Sequence, residues 1–181
     1  MKNVVTIGGG TGTFVMLSEL KRIPDVFPSA IVTIADDGGL TGRVRDAYGY
    51  LPVGDARQAL VALAEEDTVL RALFAYRFLK GDVKGHNLGN LFLTALTDTL
   101  GSEAAAIEEA SHILRVSGTV IPASEQAATL VAALADGSTI RGEHAIDLRD
   151  LARTPIKDIS LEKSVPMSKA AENAIRVADA I

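Results

Sequence analysis

Cysteine is absent from the chain. That excludes disulfides, thiolate nucleophiles and cysteine-ligated zinc, and it suits a reducing cytosol. Tryptophan is absent too, and aromatics make up only 4% of the 181 residues. So few rings cannot build a stacking platform for single-stranded nucleic acid. Cations are not in excess: the net charge is −5, whereas nucleic-acid and anionic-membrane surfaces need clustered Lys and Arg. No apolar run approaches the length of a membrane span, and the segment before the first glycines is too short for a signal peptide. The expectation is a cytoplasmic protein without nucleic-acid or membrane partners. Metalloprotease and esterase motifs (HExxH, GxSxG) are missing as well. Of the three histidines, His112 and His144 read as structural or exposed, and a lone His86 in a glycine loop does not make a zinc site.

What remains is a globular chain, 48% hydrophobic with a mean hydropathy of +0.23, read as one domain over 1–181 without repeats or linkers. Residues 3–7 are short, apolar and β-branched, as suits a strand buried on both faces of a parallel sheet. A helix is predicted over 14–22, with Phe14, Leu17 and Leu20 inward and Pro24 and Pro28 beyond it. A second strand follows over 30–34. Strand, glycine loop, helix and strand form a βαβ unit. After an irregular stretch over 35–54, helices are predicted from Asp55 (as N-cap) to 64, over 68–79, from about His86 to Leu100, and over 102–114 with Ser102 as cap. A strand over 119–121 and a hairpin over 130–142 come next. Residues 151–166 read as polar and irregular, and a closing helix over 168–180 is capped by Ser168. A helix ending in such a protein should feed another strand, so the chain reads as cut before its last strands. An exposed sheet edge would result, with homodimerisation as one way to cover it.

Four loops carry the chemistry. In IGGGTGT (7–13), Gly8, Gly9, Gly10 and Gly12 surround Thr11, with Thr13 next. Glycine permits positive φ and close ligand approach, and a loop entering a helix aims free N–H groups at an anion. The G-x-G-x-x-G fingerprint fits Gly8 and Gly10 but fails at Thr13, and no Lys follows Gly12 as a P-loop requires. Phosphate or diphosphate binding is therefore expected from mechanism, not from a standard motif. The second loop places Asp36, Asp37, Gly38 and Gly39 at a strand end. There a carboxylate would take a ribose hydroxyl or hold Mg²⁺ against a diphosphate; a plain Asx-turn followed by Gly-Gly is the alternative. The third holds Asp55 and Arg57, the latter suited to clamp a phosphate. The fourth opens a helix with His86, Asn87 and Asn90: donors and acceptors for a base or sugar, or simply a helix cap with His86 at the surface.

Together IGGGTGT (7–13), IADDGGLTGRVR (34–45), LPVGDARQAL (51–60), GHNLGNL (85–91) and VIPASEQAATL (120–130) resemble, in order, the YvcK or gluconeogenesis factor family. That family lies within the superfamily of the 2-phospho-L-lactate transferases of coenzyme F420 synthesis. The resemblance implies a Rossmann-like three-layer α/β/α fold with a mostly parallel sheet. It also implies a UDP-sugar ligand such as UDP-N-acetylglucosamine and a regulatory role in central carbon metabolism and cell shape or cell wall, as a binder more than an enzyme. The alternative it carries is phospholactate transfer from a guanosine diphospho donor to a deazaflavin, with Mg²⁺. By motif the nucleotide role falls on Gly8, Gly9, Gly10, Thr11 and Gly12, while Asp37 and Asp55 are the candidate catalytic and metal-binding acids. Arg57 stands where the transferases carry another acid, and a cation there disfavours a divalent metal. An NAD-dependent enzyme is a third reading, with Asp36 on the ribose, weakened by the mismatch at Thr13.

Overall fold

The computed structural model describes residues 1–33, 53–66, 68–126, 128–148 and 154–181. The expected site residues Asp36, Asp37, Gly38 and Gly39 lie outside these.

The centre is a parallel sheet of β1 (Lys2–Ile7), β2 (Val26–Val32) and β3 (Thr119–Pro122), in that spatial order. Helices α1 (Gly10–Leu20), α2 (Gly54–Leu63), α3 (Val69–Ala75), α4 (Leu88–Leu100) and α5 (Glu103–Ile113) precede β3, and α7 (Lys169–Arg176) follows it. The period of two along the strands divides the core. Ala30 and Val32 of β2 and Val120 of β3 face a large cluster with Leu17, Leu60, Leu63, Phe74, Leu93, Ile107 and Leu114 from α1 to α5 and its end. Val5 and Ile31 point the other way, against Ala171 and Ala174 of α7. The sheet is thus covered on both faces, a Rossmann-like α/β/α arrangement.

Strand β2 begins earlier than its apolar run suggests and passes through Pro28, which pairs with Val4 of β1. A proline is tolerated there because pairing with β3 starts only at Ser29, so no ladder N–H is lost on that side. The caps at Ser102 and Ser168 are formed as expected, each hydroxyl accepting an N–H of its helix. Helix α3 stops four residues short of 79: residues 76–88 fold back on themselves through Phe78 N–H to His86 O, Gly85 N–H to Phe78 O and Leu88 N–H to Tyr76 O.

A second, antiparallel sheet has the order β5 (Thr139–Arg141), β4 (Leu130–Leu134), β6 (Ile156–Leu161). Its hairpin matches the expected one. The short α6 (Glu143–Asp147) follows β5, and strand β6 corrects the reading of 151–166 as irregular. IKDISL buries almost nothing, so no hydrophobic face marks it, and it is held by backbone pairing to β4.

The closing helix is shorter than the expected 168–180. Helix α7 ends at Arg176, and Ala180 lies parallel to Val4 on the free side of β1, accepting the Val5 N–H at 2.9 Å. Asp179 fixes this pairing: its carboxylate accepts the Asn3 N–H at 2.8 Å and a Lys2 ammonium hydrogen bond at 2.9 Å. These partners hold its carboxyl below the usual carboxylate range, Lys2 contributing most. A depressed folded-state pKa means the contribution is present above the unfolded value, near pH 4, and is lost as pH falls through the depressed one. The protection of the Val5 amide, its exchange rate relative to the intrinsic rate at the same pH, should therefore fall on acidification below about pH 4. Asp179→Asn should produce the same loss of protection at neutral pH.

Candidate functional site

The glycine loop joins β1 to α1. Gly8 donates its N–H to Ile31 O at 3.0 Å, tying the loop to the end of β2. Gly9 is the extended N-cap of α1 and Gly10 its first residue, at φ +71°, a left-handed conformation that glycine adopts freely. A helix N-terminus leaves four N–H groups without intrahelical partners, and α1 has no capping side chain of its own. The anion at this position comes from elsewhere in the chain. The Asp55 carboxylate accepts the Gly10 N–H at 2.9 Å, and it presses on Gly9 so closely that a Cβ there would stand 1.8 Å from Oδ2.

Asp55 therefore does not N-cap its own helix, as local spacing suggests. Val53 is the N-cap of α2 and Asp55 lies in the first turn, with its side chain turned to α1. The first and third loops thus meet. A parallel tie joins the far ends of the same helices, where the largely buried Lys21 ammonium donates to Ala64 O at 2.7 Å and lies 3.5 Å from Glu66. Burial, above all, lowers the Lys21 pKa.

The fourth loop meets the third through Gly89. A Cβ on Gly89 would stand 3.0 Å from both Cγ and Cδ of Arg57 and 2.5 Å from Phe74 O, so the bare glycine leaves room for the arginine stem. Arg57 is half-buried, and its Nε is fully buried without a hydrogen-bond partner among the described residues. Burial first, and then the nearby Arg77, draw its pKa down, while Asp55 acts in the opposite sense. A buried guanidinium in this position favours an added anion.

The remaining residues divide. Thr11 and Gly12 are exposed in the first turn of α1, and half-buried Thr13 lies beside Gly8. Asn87 is buried, and both ends of its amide are engaged: Oδ1 accepts the Asn90 N–H at 3.2 Å and Nδ2 donates to Ala75 O at 3.1 Å. Asn87 is thus the cap of α4, one of the two readings its position allows. Asn90 O accepts the Thr94 hydroxyl, and His86 is half-buried, its backbone bonded into the folded-back segment. Sequence reasoning passed over Arg71. It lines, with Thr11, Phe14 and Arg57, a cavity of about 680 Å³ between α1, α2 and α3. Its signal was a lone cation inside the apolar helix VLRALFA.

Residues 4–181 match the family model described as 2-phospho-L-lactate transferase CofD. The chain is 44% identical to the gluconeogenesis factor of Halalkalibacterium halodurans, over 99% of its own length and 55% of that protein. It is also 44% identical to the gluconeogenesis factor of Bacillus subtilis, over 79% of the chain and 45% of the relative. A crystal structure of a Bacillus halodurans protein superposes with a TM-score of 0.91 at 43% identity, covering 98% of this chain and 57% of that one. The chain spans about half the length of the curated relatives it matches.

The Gly9–Asp55 packing yields a prediction. Gly9→Ala should expel the carboxylate and destabilise the protein by about 2 kcal/mol, the scale of a lost hydrogen bond to a charged group. In an Asp55→Ser background the same change should cost less than about 1 kcal/mol. Denaturant unfolding of the four proteins measures the difference.

Proposed function

The chain belongs to the CofD family, on its gluconeogenesis factor branch, and on that premise we propose that it is a nucleotide-sugar-binding regulatory protein. The ligand is a UDP-sugar such as UDP-N-acetylglucosamine, and the role lies in central carbon metabolism and cell-shape or cell-wall regulation. One observation carries the reading: the Gly10 N–H at the start of α1 already holds a carboxylate, Asp55, at hydrogen-bond distance. A loop that binds its own carboxylate has the geometry and field to bind a phosphate oxygen. The diphosphate takes the N–H groups of the first turn in exchange for Asp55, and Arg57 stands beside it as a counter-cation. Gly8, Gly9, Thr11, Gly12 and Thr13 shape the approach.

The transferase reading needs Mg²⁺. Asp55 is the one expected metal ligand among the described residues, its Oδ1 binds the Gly10 N–H, and no group of three or more His, Cys, Asp or Glu there could hold a metal ion. The described residues thus do not form a metal site by themselves, and no step is assigned to one.

Calorimetric titration with UDP-N-acetylglucosamine, NAD and GDP tests the proposal. Gly10→Asp is the informative variant, because Asp tolerates positive φ and sets a second carboxylate at the cradle. The expected result is a heat with UDP-N-acetylglucosamine, weakened at least about tenfold by Gly10→Asp, with little from NAD or GDP. No heat with the UDP-sugar, or a heat with NAD alone, would overturn the reading.

A further inference from the structure

The cavity between α1, α2 and α3 has a chemistry of its own. Its walls include Phe14 of α1, Val61 of α2 and Val69 of α3, and two cations, Arg57 and Arg71. No carboxylate is among its described lining residues. Two arginines meet a partly apolar space there, with Asp55 acting on Arg57 from outside that lining. Arg71 is held in place by its own hydrogen bond, Nε to Val61 O at 3.0 Å. Arg57 is braced by Gly89 and keeps a buried Nε without a hydrogen-bond partner among the described residues. A volume of about 680 Å³ falls in the range of small-molecule sites.

We propose that this cavity is a binding site for a small organic anion, a phosphate or carboxylate on an apolar body. The anion is met by Arg57 and Arg71 and the body by Phe14, Val61 and Val69. The fork of a guanidinium suits either anion, and the apolar side chains favour one carried on an apolar body. Thr11 lines both the cavity and the first turn of α1, so the anion is either a free metabolite or a group carried by the ligand of the glycine loop. The proposal does not rest on the nucleotide reading: Arg71 and Ala72 belong to the cavity alone.

Phenyl phosphate is the probe, followed by saturation-transfer NMR on the full chain, with benzyl alcohol as its neutral counterpart. The expected result is saturation transfer to the phenyl phosphate ring and none to benzyl alcohol. Affinity should fall at least about tenfold in Arg71→Gln and in Ala72→Glu. Ala72 is an exposed lining residue, so its variant adds a carboxylate without touching the core, and thermal unfolding confirms that both variants fold. Absence of binding, equal binding by these variants, or loss of binding in Gly10→Asp alone would overturn the proposal. Saturating UDP-N-acetylglucosamine separates the sources: displacement assigns the cavity to a group on the loop's ligand, and simultaneous binding to a free anion. If the UDP-sugar does not bind at all, the phenyl phosphate result still stands or falls by the Arg71 and Ala72 variants.

Discussion

A carboxylate set against the N-terminus of α1 organises this end of the molecule. Asp55 reaches across 45 positions of sequence to accept the Gly10 N–H, at the point where the unpaired N–H groups and the helix dipole both favour negative charge. The contact exists only because position 9 has no Cβ. It locks the glycine loop to α2, and Lys21 on the carbonyl of Ala64, the C-cap of α2, locks the other ends of the same two helices. Arg57, two residues beyond Asp55, is then held against Gly89 at the start of α4. Three loops far apart in sequence meet through two glycines whose missing side chains leave room for a charged neighbour.

The same interaction shapes what the loop offers a ligand. The Gly10 N–H is already engaged by an internal anion, the Asp55 carboxylate. Under the proposed function, an incoming diphosphate would exchange that one carboxylate–amide bond for several phosphate–amide bonds and leave Asp55 near Arg57, whose buried charge it already offsets. Binding strength is thus the difference between two anions at one site, not the full energy of either. The net negative charge of the chain contributes nothing to such attraction, so the proposal places selectivity on local N–H groups and arginines.

Much of the fold could be read from pattern alone. The β-branched runs, the serine caps at Ser102 and Ser168 and the hairpin turn around Gly137 are local signals with local causes, and the structure has each of them. What escaped was decided elsewhere in the chain. Strand β6 has no apolar face to betray it, and the residues after α7 take their place from Asp179 and the edge of β1. At the site, Asp55 has the spacing of an ordinary helix cap, and only the fold shows that it caps a different helix. Asn87 reads equally as ligand donor or cap, and in the structure its Oδ1 forms the cap by accepting the Asn90 N–H. Arg71 was invisible as a lining residue because its role depends on how α3 packs beside α1.

The central claim is that the first-turn N–H groups of α1 receive the ligand's diphosphate in place of Asp55. Amide NMR during titration with UDP-N-acetylglucosamine tests it most directly. The account predicts that the Gly10, Thr11 and Gly12 resonances move together and saturate with the calorimetric affinity, and that the Asp55 carboxylate signal moves with them. Saturable binding that shifts amides elsewhere and leaves Gly10 and Asp55 unchanged would contradict it.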